Sequence, residues 1–248
     1  MHITGIIPAR FASTRFPGKP LAMIHGKPMI QRVYERALQA TELSEVWVAT
    51  DDERIAEAVR GFGGKVVLTL PHHETGTERC HEALVKIGQS DAVINIQGDE
   101  PYIAPEQINE VARLIQKEGV DIATAVKRID DPGVLLDPNK VKVVMGKHNK
   151  ALYFSRSAIP FLRGVSVTDW LEKHDFYKHI GIYAYKPEAL HSIVHLQPGS
   201  LELAESLEQL RWLENGISIF CAISSHESLS VDTPSDIEEI HRLYSPTA

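Results

Sequence analysis

Between residues 2 and 129, short apolar runs and amphipathic stretches alternate, and this order constrains the fold more than any other feature of the chain. "HITGIIPA" (2–9) reads as a strand. "KPMIQRVYERALQAT" (27–41) follows, with Met29, Ile30, Val33, Ala37 and Leu38 at helical spacing. "EVWVAT" (45–50) is a strand, and "DERIAEAVRGFG" (52–63) is a helix stopped by Gly63 or Gly64. "KVVLTL" (65–70), "DAVINIQ" (91–97) and "DIATAVKRI" (121–129) are further strands; "GTERCHEALVKIG" (76–88) and "APEQINEVARLIQKEG" (104–119) are further helices. Strand–helix repetition of this kind predicts a parallel sheet covered by helices on both faces. In such sheets a ligand sits at the carboxyl ends of the strands.

The pattern changes near residue 131. "VKVVMG" (141–146), "ALYFSR" (151–156) and "HIGIYAY" (179–185) read as antiparallel strands. A helix over 201–214, a strand over 217–223 and a last helix from Pro234 to Tyr244 follow, with Thr233 as its N-cap. The expectation is a single domain: an α/β core of about 1–130 and 201–248, with a β-rich unit inserted at about 131–200.

Composition narrows the class. The chain has 248 residues, 43% hydrophobic and 24% charged, enough for one large α/β domain. Its net charge of −7 argues against a nucleic-acid binder, which presents a basic face to phosphates. Cys80 and Cys221 form no CxxC pair and fit a reducing compartment. No apolar run approaches the roughly 20 residues of a membrane span, and the start lacks the form of a signal peptide. A cytoplasmic protein is expected.

Against this acidic background, "PARFASTRFPGK" (8–19) places Arg10, Arg15 and Lys19 directly after the first strand, with no acidic residue between them. Small residues there let backbone N–H groups approach an anion, while arginine forks and a lysine point charge suit phosphate or carboxylate. A solvated basic loop is the plain alternative. The loop is neither GxxxxGK[ST] nor GxGxxG, which removes most support for a Walker-type or dinucleotide-binding protein. Asp99 in "QGDEP" ends the fourth strand, and Asp232 in "VDTP" precedes the last helix. Both are suited to a hard divalent cation. Their plain alternatives are a turn-former before Pro101 and a charge at a helix N-terminus. His72, His73 and His81 are close in sequence, but their spacing matches no zinc motif, so surface histidines are expected.

"PARFASTRFPGKPL" resembles the N-terminal signature of the 3-deoxy-manno-octulosonate cytidylyltransferase (CMP-Kdo synthetase) family, among the sugar nucleotidyltransferases. The resemblance continues through "ATDDERI" (49–55), "TGTER" (75–79), "NIQGDEP" (95–101), "LYFSR" (152–156), "HIGIYAY" (179–185), "LEQLRWLENG" (207–216) and "VDTPSDIE" (231–238). It implies a Rossmann-like three-layer core, with the inserted β-rich unit serving dimerisation and sugar binding. The implied reaction is attack of the anomeric hydroxyl of Kdo on the α-phosphorus of CTP. Polyanions must meet there, and uncompensated like charges at ~4 Å repel by several kcal/mol at an effective dielectric near 20.

By the same resemblance, Arg10, Arg15, Lys19 and Asp99 are the catalytic residues. Ala9, Arg10, Lys19, Thr50, Asp51, Thr75, Gly76, Arg79 and Gln97 surround CTP. Arg15, Gln97, Arg156, His179, Tyr183, Glu208 and Gln209 contact the sugar acid, with Tyr185 and Ser155 next in line. Asp99 and Asp232 hold Mg²⁺, with Glu100 a weaker candidate. No residue stands out as a strong general base, so metal activation and positioning carry the catalysis. A homodimer is implied, with no nucleic-acid or membrane partner. The loop 162–176 departs from the family and leaves Kdo and an 8-amino analogue both open. Two other readings remain at this point: the same chemistry on another sugar, such as a nonulosonate or a sugar 1-phosphate, and a non-catalytic nucleotide-binding regulator on the same fold.

Overall fold

The computed structural model describes residues 1–12, 16–227 and 229–244. In chain order the elements are β1 (Ile3–Ala9), β2 (Met23–Ile24), β3 (Lys27–Pro28), α1 (Met29–Ala37), β4 (Glu45–Thr50), α2 (Glu53–Gly61), β5 (Val66–Leu68), α3 (Gly76–Ile87), β6 (Ala92–Asn95), α4 (Pro105–Ile115) and β7 (Ile122–Arg128). The second half adds α5 (Pro132–Leu136), β8 (Lys142–Met145), β9 (Ala151–Ser155), α6 (Trp170–Lys173), β10 (Tyr177–Tyr185), α7 (Pro187–Ile193), α8 (Ser200–Glu205), α9 (Gln209–Glu214), β11 (Phe220–Ile223) and α10 (Pro234–Leu243). Each strand and helix expected before residue 130 is present, trimmed by a few residues at its ends.

Among the described residues nine strands form one sheet, in the order β11-β7-β10-β6-β1-β4-β5, with β8 pairing to β10 and β9 to β8. The pairs β6–β1, β1–β4, β4–β5 and β11–β7 are parallel. β10 runs antiparallel to both β6 and β7. Alternation along each strand divides the core into two layers. Ile7, Val48, Ile94, Ala125 and Ile182 face α1, α2 and α4, whereas Ile6, Ala49, Val93, Val126 and Tyr185 face α3, α7 and α9. The result is three layers, with a smaller cluster of Ile24, Met29, Tyr102, Val231 and Ile240 fastening α10 to the β2–β3 hairpin.

Two expectations need correction. The strands over 131–200 do not form a unit apart from the core: β10 lies in the middle of the main sheet, and β8 and β9 extend that sheet from it. The helix expected over 201–214 is broken, because Ser206 adopts a left-handed backbone (φ 52°) between α8 and α9. Arg211 of α9 then reaches back to the Glu202 carboxylate of α8, at 2.6 and 2.7 Å, and holds the two short helices together. A continuous apolar periodicity hid the break, since serine carries no strong stop signal.

Candidate active site

The cationic loop leaves β1 at its carboxyl end, beside the carboxyl end of β6, where a ligand crevice is expected in this topology. The two strand ends approach closely at Gly98: a Cβ there would stand 2.8 Å from the Pro8 carbonyl oxygen. Only glycine lets the chain after β6 pass so near β1. Gly18, at φ 72°, turns the loop back over the Phe11 ring. Phe11 in turn carries the Arg54 guanidinium 3.3 Å above its centroid, and Arg54 is held by two contacts to the Asp52 carboxylate at 2.9 and 2.6 Å.

A cavity of about 260 Å³ opens here, lined by Ala9, Arg10, Lys19, His73, Thr75, Gly76, Arg79, Gln97, Asp99 and Asp232 among others. Lys19 organises its floor. Its Nζ donates to Asp99 Oδ2 at 2.8 Å and to the Val231 carbonyl at 2.6 Å, and it stands 4.0 Å from Asp232 Oδ1. Asp232 is set by the start of α10, where Asp236 accepts the backbone N–H groups of Asp232 and Thr233, each at 2.7 Å. The Val231 N–H donates to the Asp99 carbonyl at 2.8 Å and ties the two acidic segments together.

The opposite wall is the first turn of α3. Thr75 caps that helix by accepting the Glu78 N–H at 3.2 Å. Arg79 is buried, donating to Thr69 at 2.5 Å and paired with Asp51 at 3.2 Å. Thr50 is fully buried and accepts the Asp52 N–H at 3.2 Å, so it and Asp51 support the wall from behind.

Gln97 stands between this cavity and a second one of about 190 Å³, whose lining includes Glu100, Lys140, Lys178, His179, Gly181 and Glu227. The register of β10 against β7 slips between Ile180 and Tyr183. The bulge frees carbonyls, and Gln97 Nε2 donates to that of Gly181 at 2.6 Å. Thr124 donates to the Ile182 carbonyl at 2.8 Å, and with its one proton committed there it accepts from His179 Nε2, 2.9 Å away. Burial lowers the His179 pKa to about 3, so the ring is neutral.

The sequence-derived sugar residues are not gathered in one place. Gln97 and His179 line these cavities, whereas Tyr183 is in the core beside Tyr185 and Trp212. Glu208 is near the first cavity, accepting from Thr77 of α3 at 3.0 Å; burial raises its pKa, opposed by hydroxyls of Thr77 and Thr75. Gln209 is buried next to it at the start of α9. Arg156 binds the carbonyls of Glu205, Pro138 and Ser206 and so acts as a strut across the α8–α9 break. Arg15 lies outside the described residues. His73 was missed on the sequence, although it lines the first cavity and binds the Glu82 carboxylate. So were Lys140, Lys178 and Glu227 of the second cavity, because no local motif joins 140, 178 and 227.

The donor chemistry of the first cavity suits Mg²⁺. Two hard carboxylates from distant segments, Asp99 and Asp232, line a pocket that otherwise presents cations. One or two carboxylates with phosphate oxygens and water is the set this ion prefers. Among the described residues no three or more His, Cys, Asp or Glu side chains are already gathered to hold an ion.

A family model described as cytidylyltransferase matches residues 4–219. A protein of Bacteroides thetaiotaomicron named 3-deoxy-manno-octulosonate cytidylyltransferase is 56% identical over 242 residues, covering 96% of each chain. A protein of the same name from Geobacter sulfurreducens is 50% identical over 250 residues, covering 97% of this chain and 98% of the other. The chain belongs to the 3-deoxy-manno-octulosonate cytidylyltransferase family. The fold agrees with a solved structure of CMP:2-keto-3-deoxy-manno-octonic acid synthetase complexed with CTP, at a TM-score of 0.91 and 43% identity over 98% of both chains. A cytidylyltransferase from Leptospira borgpetersenii, 16% identical with a TM-score of 0.64 over 100% of this chain and 90% of the other, shares the fold alone.

Proposed function

We propose that the chain transfers CMP from CTP to the anomeric hydroxyl of Kdo, releasing pyrophosphate and forming CMP-Kdo for lipopolysaccharide assembly, with Mg²⁺ as cofactor. The observation that carries the reading is the facing of Arg10 and Lys19 by Asp99 and Asp232 in one cavity at the end of β1, in a chain with this family's sequence.

The triphosphate enters against Arg10, Lys19 and the first turn of α3. As the α-phosphorus is attacked, charge moves onto the departing pyrophosphate. Cations fixed beforehand stabilise that charge without reorganising. Lys19 is held by Asp99 and the Val231 carbonyl, so its ammonium is already placed on the cavity floor. Asp99 and Asp232 would hold Mg²⁺, which when bound polarises the phosphate and neutralises the leaving group. Gln97 from the first cavity and His179 from the second place the sugar acid, and the neutral His179 ring offers hydrogen bonding without charge. Arg15 is assigned to the sugar or the phosphates by its place in the loop sequence.

A homodimer is proposed as well, supported by exposed apolar side chains in the second half of the chain, Leu152, Phe161 and Leu203. A cytoplasmic setting is consistent with the two buried free cysteines and with the absence, among the described residues, of any helix long and apolar enough to cross a membrane. The test is product identity. With CTP and Kdo, mass spectrometry should detect CMP-Kdo, and ATP, GTP and UTP should give far less product. Equal use of all four nucleotides, or product only with another sugar acid, would refute the assignment.

A further inference from the structure

Beside α3, next to a cleft that shares His73 with the first cavity, three histidines from two segments distant in sequence come together. His191 and His195 are four residues apart at the end of α7. The turn continues past the helix, since the His195 N–H donates to the Ser192 carbonyl at 3.4 Å. Side chains spaced by four on a helix lie on one face, and here the two ring centroids are 4.7 Å apart. His81 projects from α3 toward the pair. Its centroid is 5.3 Å from that of His191 and 6.1 Å from that of His195, and its Nε2 is 3.1 Å from His191 Nδ1.

We infer that His81, His191 and His195 form a binding site for a late first-row divalent transition-metal ion such as Zn²⁺, apart from the catalytic cavity. Two imidazole nitrogens bound to one tetrahedral zinc at about 2.05 Å stand about 3.3 Å apart. The His81–His191 separation is already close to that value. The three rings do not yet converge on one point. His191 and His195 are exposed, however, and can reach a shared ion by side-chain rotation. Burial lowers the pKa of His81, and the neighbouring His191 and His195 lower it further, which favours the neutral imidazole that a metal requires. An all-imidazole set selects zinc, copper or nickel and disfavours Mg²⁺, which takes oxygen. A cleft lined by His72, Glu78, His81 and His195 leaves space for water or a carboxylate as a further ligand. A bound ion would join α3 to α7, and α3 is the helix that carries Thr75, Gly76 and Arg79 to the nucleotide cavity.

The site stands or falls independently of the proposed reaction. The purified full chain, stripped with EDTA, is titrated with Zn²⁺, and retained metal is measured after desalting. The wild type should retain about one equivalent at micromolar Zn²⁺. His195→Gln should weaken binding by about tenfold or more, and the His191→Ala/His195→Ala pair should abolish it. Asp99→Asn should leave zinc retention unchanged. With Cu²⁺ as probe, the electron paramagnetic resonance spectrum should show nitrogen coupling that disappears in the double variant. Circular dichroism checks that each variant is folded, and the exposed positions of His191 and His195 make that the expected result. Failure of the wild type to retain zinc, or equal retention by the double variant, would overturn the proposal.

Discussion

Lys19 joins three segments with a single ammonium: the loop after β1, Asp99 after β6, and the Val231–Asp232 approach to α10. Lys19→Ala therefore removes the cation proposed to bind phosphate and leaves two facing carboxylates unbalanced. A loss of kcat/KM of about 100-fold or more is expected in steady-state assays, the size typical of deleting a transition-state charge partner. Arg54 acts differently. Among the described residues it lies outside the cavity lining and reaches the cationic loop through the Phe11 ring. An exposed cation–π contact contributes about 0.5–1 kcal/mol, so Arg54→Ala should raise KM for CTP by only about two- to fivefold and leave kcat unchanged. A large fall in kcat would show that Arg54 does more than hold the loop. Arg10, Lys19, Asp99 and Asp232 were legible as candidates in the sequence because they lie in a cationic loop after β1, past the end of β6 and just before α10, elements that periodicity locates. His73, Lys140 and Glu227 were not, since only the folded chain brings them to a cavity.

At the scale of elements, β10 lines the second cavity, and the α8–α9 pair is tied to α3 through the Glu208–Thr77 contact. His179 stands on β10 just before its register slip, and its pKa of about 3 in the folded chain is well below the ordinary imidazole value. The unfolded chain binds a proton near pH 6.5 and the folded chain does not, so this stability is full above pH 6.5 and declines as pH falls toward 3. Urea unfolding should show a lower midpoint at pH 5 than at pH 7. In His179→Gln the difference should shrink; an unchanged pH dependence would mean that the ring protonates freely in the folded state.

The Glu202–Arg211 pair bridges the break at Ser206, and both side chains are largely buried. Glu202→Ala leaves a buried guanidinium without its carboxylate, and a loss of about 3 kcal/mol in unfolding free energy is expected. Strands and helices before residue 130 were legible because each has its own periodicity. The break in the helix and the place of β10 were not, because a left-handed serine and a long-range antiparallel pairing leave no periodic trace.

Over the whole molecule, one sheet brings together residues from both ends of the chain. β1 supplies the cationic loop, β6 leads to Asp99, and the segment after β11 returns with Asp232 to close the same cavity. The net charge of −7 is thus compatible with a polyanionic substrate, because the few cations that matter are placed where the strands end. The layered α/β class followed from the repeating pattern, while the presence of two cavities at the strand ends required the fold itself. The most direct test is pyrophosphate release from CTP and Mg²⁺, with and without Kdo, for the wild type and Asp99→Asn. The account predicts Kdo-dependent release in the wild type and a fall of about 100-fold or more in the variant. Kdo-independent release, or full activity in Asp99→Asn, would contradict it.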